Sequence, residues 1–213
     1  MPANVLAIDT STSRGGLAVV ARSGELIAEE SFIANRSHNS EFVDPLGRAL
    51  AGLVGHKLDR IVVGTGPGSY TGIRIGISAA IGVAVSRDAR LAGLPSVCAV
   101  AEAVNYSVVG DARRGAVYIA EVKERVLVGA PRMVEAEEFE KPPGLVVTFD
   151  GASICEGLRQ ATPEAAILAE MAAGMSEADF EQLASTPVEP IYLRAPFVTE
   201  PKKMGKTLPG APA

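Results

Sequence analysis

The chain has 213 residues, a formal net charge of −5, 47% hydrophobic and 5% aromatic residues, and no Trp. That length holds one or two compact domains with a core of Val, Ile, Leu and Ala. Two cysteines, Cys98 and Cys155, exclude a disulfide scaffold and a cysteine metal cage.

The apolar run Val5 to Ile8 ends at Asp9 and is followed by the polar turn Thr10-Ser11-Thr12-Ser13. Arg14-Gly15-Gly16 leads into a second strand, Leu17 to Ala21. The Ser23-Gly24 turn gives a third, Glu25 to Phe32, completing a meander. A carboxylate at a strand end, with hydroxyls and glycines behind it, suits phosphate or metal-ion contacts, and the same residues are ordinary turn formers. No basic stretch precedes an apolar core in MPANVLAIDTSTS, so no signal peptide is expected.

A helix is expected from near Ser37 to Ser40, with Phe42, Leu46, Leu50, Leu53 and Val54 at helical spacing and Pro45 within the first turns. Ile61 to Val63 then reads as a strand. It ends in the turn Gly64-Thr65-Gly66-Pro67-Gly68-Ser69, where Ser69 is the expected N-cap of the next helix. The turn lacks the Lys-Ser or Lys-Thr of a P-loop and does not match G-x-G-x-x-G, since position 71 is Thr. It reads either as an anion site at a helix start or as a tight strand-to-helix connection.

In the helix that follows, Gly72, Gly76, Ala80 and Ala84 recur every four residues and form a shallow groove for close helix packing. The other side carries Ile73, Ile77, Ile81 and Val85, so burial on two sides is expected, one against the chain's own sheet and one against a partner. From Ile75 to Val85 there are 11 residues without a charge. A membrane span needs about 20, so a soluble, cytoplasmic protein without membrane contact is expected.

Gly93-Leu94-Pro95 turns into an expected strand, Ser96 to Val100, which completes half of an α/β domain with a mixed sheet. The pattern then partly repeats. Strands are expected at Ala116 to Val122, Arg125 to Val128 and Leu145 to Thr148. A short helix start is expected at Glu135 to Phe139, and helices over 153–160 and 176–184. Asp150-Gly151-Ala152-Ser153 is the one candidate for a second phosphate turn. Residues 101–190 carry 7 Lys/Arg against 16 Asp/Glu, which opposes direct nucleic-acid binding, because phosphate affinity comes largely from Lys and Arg. The chain therefore divides into an N-terminal lobe, 1–102, a smaller acidic C-terminal lobe, 103–195, and a tail, 196–213, expected to be partly mobile.

Four segments, VLAIDTSTSRGGLAVV, VVGTGPGSYTGIRIGISAAIGVAV, DARRGAVYIAEV and PVEPIYLR, run in order from residue 5 to residue 194 and resemble the TsaB/YeaZ family. GPGSYTGIRIG is the most specific of them. The resemblance implies an actin-like ATPase (ASKHA) α/β fold of two lobes, each a mixed β-sheet flanked by helices. It implies a non-catalytic role in making threonylcarbamoyladenosine, at adenosine 37 of tRNAs that read codons starting with A. Such a subunit binds and activates the related protein TsaD, recruits the ATPase TsaE, and pairs with itself when alone. It touches tRNA only indirectly and binds no cofactor by itself, with ATP used by the complex.

The residues agree with that implication. The H-x-x-x-H metal pair of TsaD would fall near Ala101 and Asn105, neither of which is a histidine. The chain's two histidines, His38 and His56, stand 18 apart with no second ligand pattern beside them. No metal site, nucleophile arrangement or peptidase activity is expected. By resemblance, the helices near 40–54 and 70–86 form the partner layer, with Gly72, Ile75, Gly76, Ala79, Ala80 and Val83 as contacts. Gly76→Arg or Ala80→Arg is expected to abolish pairing with the fold intact. Asp9, Thr10 and Ser11 form a degenerate phosphate site, because the glycines usual after that Asp are absent. A small-molecule ATP-dependent phosphotransferase of the same fold, or a homodimer with an unrelated partner, are the other readings. Arg113 and Arg114 beside Asp111 read as a turn with paired charges.

Overall fold

A computed structural model describes residues 3–33, 38–53, 55–150 and 154–194. The expectations for Ser37, Val54, Gly151 to Ser153 and the 196–213 tail lie outside the described residues. The chain runs β1 (Val5–Asp9), β2 (Arg14–Val20), β3 (Leu26–Ile33), α1 (His38–Ala51), β4 (Arg60–Gly64), α2 (Tyr70–Arg87), β5 (Arg90–Leu94) and a 3-10 turn at Ser96–Cys98. There follow β6 (Tyr106–Arg113), β7 (Ala116–Lys123), β8 (Val126–Leu127), β9 (Arg132–Glu135), a 3-10 turn at Ala136–Glu138, β10 (Val146–Thr148), β11 (Arg159–Gln160), α3 (Ala165–Gly174) and α4 (Glu177–Ala184).

The first sheet has the order β3-β2-β1-β4-β5. β1, β2 and β3 pair antiparallel as the expected meander, and β4 and β5 add in parallel beside β1. Every residue of β1 and of β4 is buried, as the central strands of a sheet covered on both faces require. Alternation assigns the faces. Leu6, Ile8, Leu17, Val19, Ile61 and Val63 pack under α1 and α2. Val5, Ala7, Ala18, Val20 and Val62 pack under Leu168, Ala169, Ala172 and Phe180 of α3 and α4. The second sheet, β11-β10-β6-β7-β8 with β9 also on β7, is mixed too. The chain thus forms two lobes, each built on a mixed sheet, as expected.

Two expectations differ from the structure, and two elements, β6 and α3, have no counterpart in the sequence reading. The fifth strand of the first sheet is Arg90–Leu94, and Ser96 to Val100 instead forms the 3-10 turn and the crossing into the second lobe, with Val97, Cys98 and Val100 buried in that lobe's core. Strand β6 had no expectation, since Gly110 and Asp111 interrupt its apolar run. Gly110 is needed because a Cβ there would collide with the Tyr118 ring. No helix covers the described residues from 154 to 160, where the chain turns and pairs briefly as β11. Helix α3 had no expectation either: AAILAEMAAG is apolar on nearly every side and shows no period.

The lobe boundary changes with α3. The segment 165–184 belongs to the first lobe, closing the open face of its sheet, so the span 103–195 is not one unit. Arg60, wholly buried at the start of β4, holds this return. Its Nη1 donates to the carbonyls of Ala172 (2.7 Å) and Met175 (3.0 Å) at the end of α3, and its Nη2 to Glu177 Oε2 (2.8 Å). These carbonyls are among the groups a helix end leaves without partners. Arg60 also lies 4.6 Å from the Phe180 ring centre, with Arg90 5.7 Å from the same ring.

Candidate functional site

The loop after β1 and the start of α2 form one tightly joined piece. Ser69 caps α2 as expected, its hydroxyl accepting from the Gly72 N–H at 3.1 Å. The Ser69 N–H donates to the Ser11 carbonyl at 2.6 Å. The Thr10 hydroxyl donates to the Gly72 carbonyl at 2.7 Å. Such close docking requires the glycines: a Cβ at Gly68 would collide with the Ser11 carbonyl, one at Gly72 with the Thr10 carbonyl, and one at Gly76 with Thr10 Oγ1.

Asp9 lies beneath this joint, fully buried at the end of β1. Its Oδ1 accepts from the Ser11 N–H (2.9 Å) and the Ser11 hydroxyl (2.7 Å). Oδ2 makes no hydrogen bond within bonding geometry, and the Ser96 hydroxyl beside it donates no close bond but still favours the charge. Burial pushes the carboxyl up from its ordinary value, and the Ser96 and Ser11 groups oppose that rise. The Ser96 hydroxyl itself accepts from the Gly66 N–H at 2.9 Å. The structure thus brings Asp9, Thr10 and Ser11 together, but their donors are directed at the chain itself: the Ser11 amide to Asp9 and the Thr10 hydroxyl to α2.

The small-residue row of α2 turns inward. Gly72, Gly76, Ala80 and Val83 are buried in their own lobe, while Ile75 and Ala79 are half-buried. Gly76→Arg and Ala80→Arg would therefore break the lobe, which corrects the expectation that they spare the fold. The geometric reason is the helix period. Rows one residue out of step lie about 100° apart, not opposite, so Gly72 and Ile73 both face inward. A spacing of four drifts by about 40° a step, so the isoleucine row rotates outward along the helix. Ile73 and Ile77 are buried, but Ile81 is 48% and Val85 80% exposed. The outward face of α2 is thus Arg74, Ser78, Ile81, Gly82 and Val85. No hydrophobic pattern separates these faces, because the helix is apolar almost all round.

A cleft of about 520 Å³ lies between the lobes. The turn Ser11 to Ser13 and Ser69 to Thr71 form one wall, and Asp111, Arg113 and Asp150 the other. Asp150 Oδ2 accepts from the Asp111 N–H at 2.6 Å. Arg113 pairs with Asp111 at 3.0 Å, as the paired-charge turn implies, and Arg113, Arg114 and Gly115 all have positive φ at the tip between β6 and β7. Ala101 lies in a turn, and the Asn105 amide exchanges hydrogen bonds with Glu124. Among the described residues no three His, Cys, Asp or Glu are placed to hold a metal ion, and no helix is long and apolar enough to cross a membrane. Cys98 is buried in an apolar setting that raises its thiol to about 11, so it has no reactive thiolate character.

A family model described as "TsaD: tRNA N6-adenosine threonylcarbamoyltransferase" matches residues 32–182, more than half the chain. A tRNA threonylcarbamoyladenosine biosynthesis protein TsaB of Haemophilus influenzae is 32% identical over 132 residues, 57% of this chain and 55% of that protein. An uncharacterized protein of Mycobacterium leprae, ML0378, is 31% identical over 155 residues, 70% of this chain and 43% of that protein. The chain thus spans about half the length of these curated relatives. Among solved structures, YeaZ from Pseudomonas aeruginosa superposes with a TM-score of 0.69 at 21% identity, over 90% of this chain and 100% of that one, and so shares the fold.

Proposed function

The chain belongs to the TsaB/YeaZ family, and from that premise we propose that it serves threonylcarbamoyladenosine synthesis on tRNA in the cytoplasm as a subunit without chemistry of its own. It binds and activates TsaD through the outward face of α2 and the adjoining α1, and the pair recruits TsaE. A second copy of the chain takes the same face when TsaD is absent. The observation that carries this reading is the exposure of Ile81 and Val85 on a helix whose inward row is already buried in its own lobe. Val43 on α1, 62% exposed, adds to the apolar surface. Ile75 and Ala79, half-buried at its margin, are the contacts of the original set that this face retains.

The Asp9 turn supports the absence of a nucleotide in this subunit. A phosphate needs free N–H and hydroxyl donors, and here Ser11 and Thr10 direct theirs at Asp9 and Gly72. ATP is then bound and consumed elsewhere in the complex. Contact with tRNA is indirect.

Reconstitution tests the reading. Purified chain is mixed with TsaD, TsaE, the threonylcarbamoyl-adenylate synthase, ATP, threonine, bicarbonate and tRNA, and the modified nucleoside is measured with and without the chain. Product is expected only with the chain present. Equal product in its absence overturns the proposal, and ATP hydrolysis by the chain alone points instead to a phosphotransferase.

A further inference from the structure

The segment after α4 forms no regular element, yet residues 188–194 touch both lobes in succession. Val188 packs into the first-lobe core, with its Cγ1 3.2 Å from where a Cβ on Gly93 would stand. The Ile191 N–H donates to the Thr65 carbonyl at 2.8 Å, in the turn that leads to α2. The Tyr192 ring lies 5.6 Å from that of Tyr70, the first residue of α2, and Arg74 donates to the Tyr70 hydroxyl at 2.6 Å. Leu193 then enters the second-lobe core and lines the cleft. Arg194 Nη2 donates to the Arg113 carbonyl at 3.3 Å, on the tip between β6 and β7.

The backbone crosses between lobes once before β6 and once after β11. The two crossings are joined by the Glu164 N–H donating to the Ala99 carbonyl at 2.8 Å, which leaves a hinge rotation open, and hinge motion is the usual way two-lobed proteins open and close. A third crossing, held by non-covalent contacts across the cleft, restrains that rotation. We propose that residues 188–194 are an interlobe strap that sets the opening of the cleft and ties it to the first turn of α2. Its anchors are few and partly exposed, which places it among the parts of the molecule that open most readily.

The strap is tested on the full chain by hydrogen exchange and small-angle scattering. Val188→Ala weakens the first-lobe anchor and Leu193→Ala the second, while Tyr192→Phe keeps the ring contact and serves as control. A strap needs both ends. Each anchor variant should therefore speed exchange about tenfold in both 188–194 and the tip 111–116, and should raise the radius of gyration. Exchange in β1 and α3 should stay as in wild type, and Tyr192→Phe should match wild type throughout. The proposal fails if each variant loosens only its own anchor, or if exchange rises equally across the chain. An unchanged radius of gyration with a freed strap also overturns it.

Discussion

Glu177 shows at the scale of one residue how the chain's acidic excess is used. Its carboxylate takes hydrogen bonds from Arg90 and Arg60, which hold it down at about 2, against an ordinary value of 4.5. A lowered folded value means that the unfolded chain binds the proton more tightly, so this contribution is complete above about 4.5 and is lost as pH falls toward 2. The side chain is half exposed, and water screens the pair. Urea midpoints of wild type and Glu177→Gln should differ at pH 7, with wild type higher, and should converge between pH 4.5 and 2. A gap that stays constant over that interval would exclude the ion pair as its cause. Glu177 and Glu181 of α4 are therefore matched to the first-lobe Arg60 and Arg90, which regional charge counts could not show.

At the scale of the element, α2 has two faces with opposite demands. Inward, Gly72 meets the Thr10 carbonyl and Gly76 the Thr10 hydroxyl, with no room for a Cβ. Gly72→Ala should lower stability by about 1–3 kcal/mol, as overpacking against backbone does, seen as a lower urea midpoint. Outward, Val85→Asp should leave stability within about 0.5 kcal/mol, as exposed substitutions do, while removing capture of TsaD and self-pairing in gel filtration. A Val85→Asp chain that still pairs normally would move the interface off α2. The Ser69 cap and the strand before it could be read from local rules, since N-caps and β-branched runs are short-range signals. Which side of α2 faces the sheet could not, because its apolar residues encircle the helix and its rotation is settled by contacts with Thr10 and with the core under the sheet.

The whole molecule depends on the chain's return to its beginning. The first sheet is complete as a set of five strands by Leu94, but one face of it, Val5, Ala7, Ala18, Val20 and Val62, is covered by α3 and α4 from 70 or more residues later. Leaving such a face in water costs about 25 cal/mol per Å² of apolar surface. A fragment of residues 1–102 should therefore lack a cooperative urea transition. Joining residues 162–194 to it through a flexible linker should restore one. Cooperative unfolding of 1–102 alone would show that the return is dispensable.

By itself the sequence determined the meander and the glycine turn with its capped helix. It also pointed, through four separated segments, to the family. These are signals carried by neighbouring residues, and they survive without knowledge of what packs on them. Only the tertiary structure decided the inward face of α2, the closure of the Asp9 turn on Gly72, and the assignment of 165–184 to the first lobe. Each of those depends on a contact between residues far apart in the chain: Thr10 with α2, Arg60 with the end of α3, and Leu168 with β1 and β2. A periodicity can announce that a surface is buried, but when a helix such as α3 is apolar all round it does not say against what.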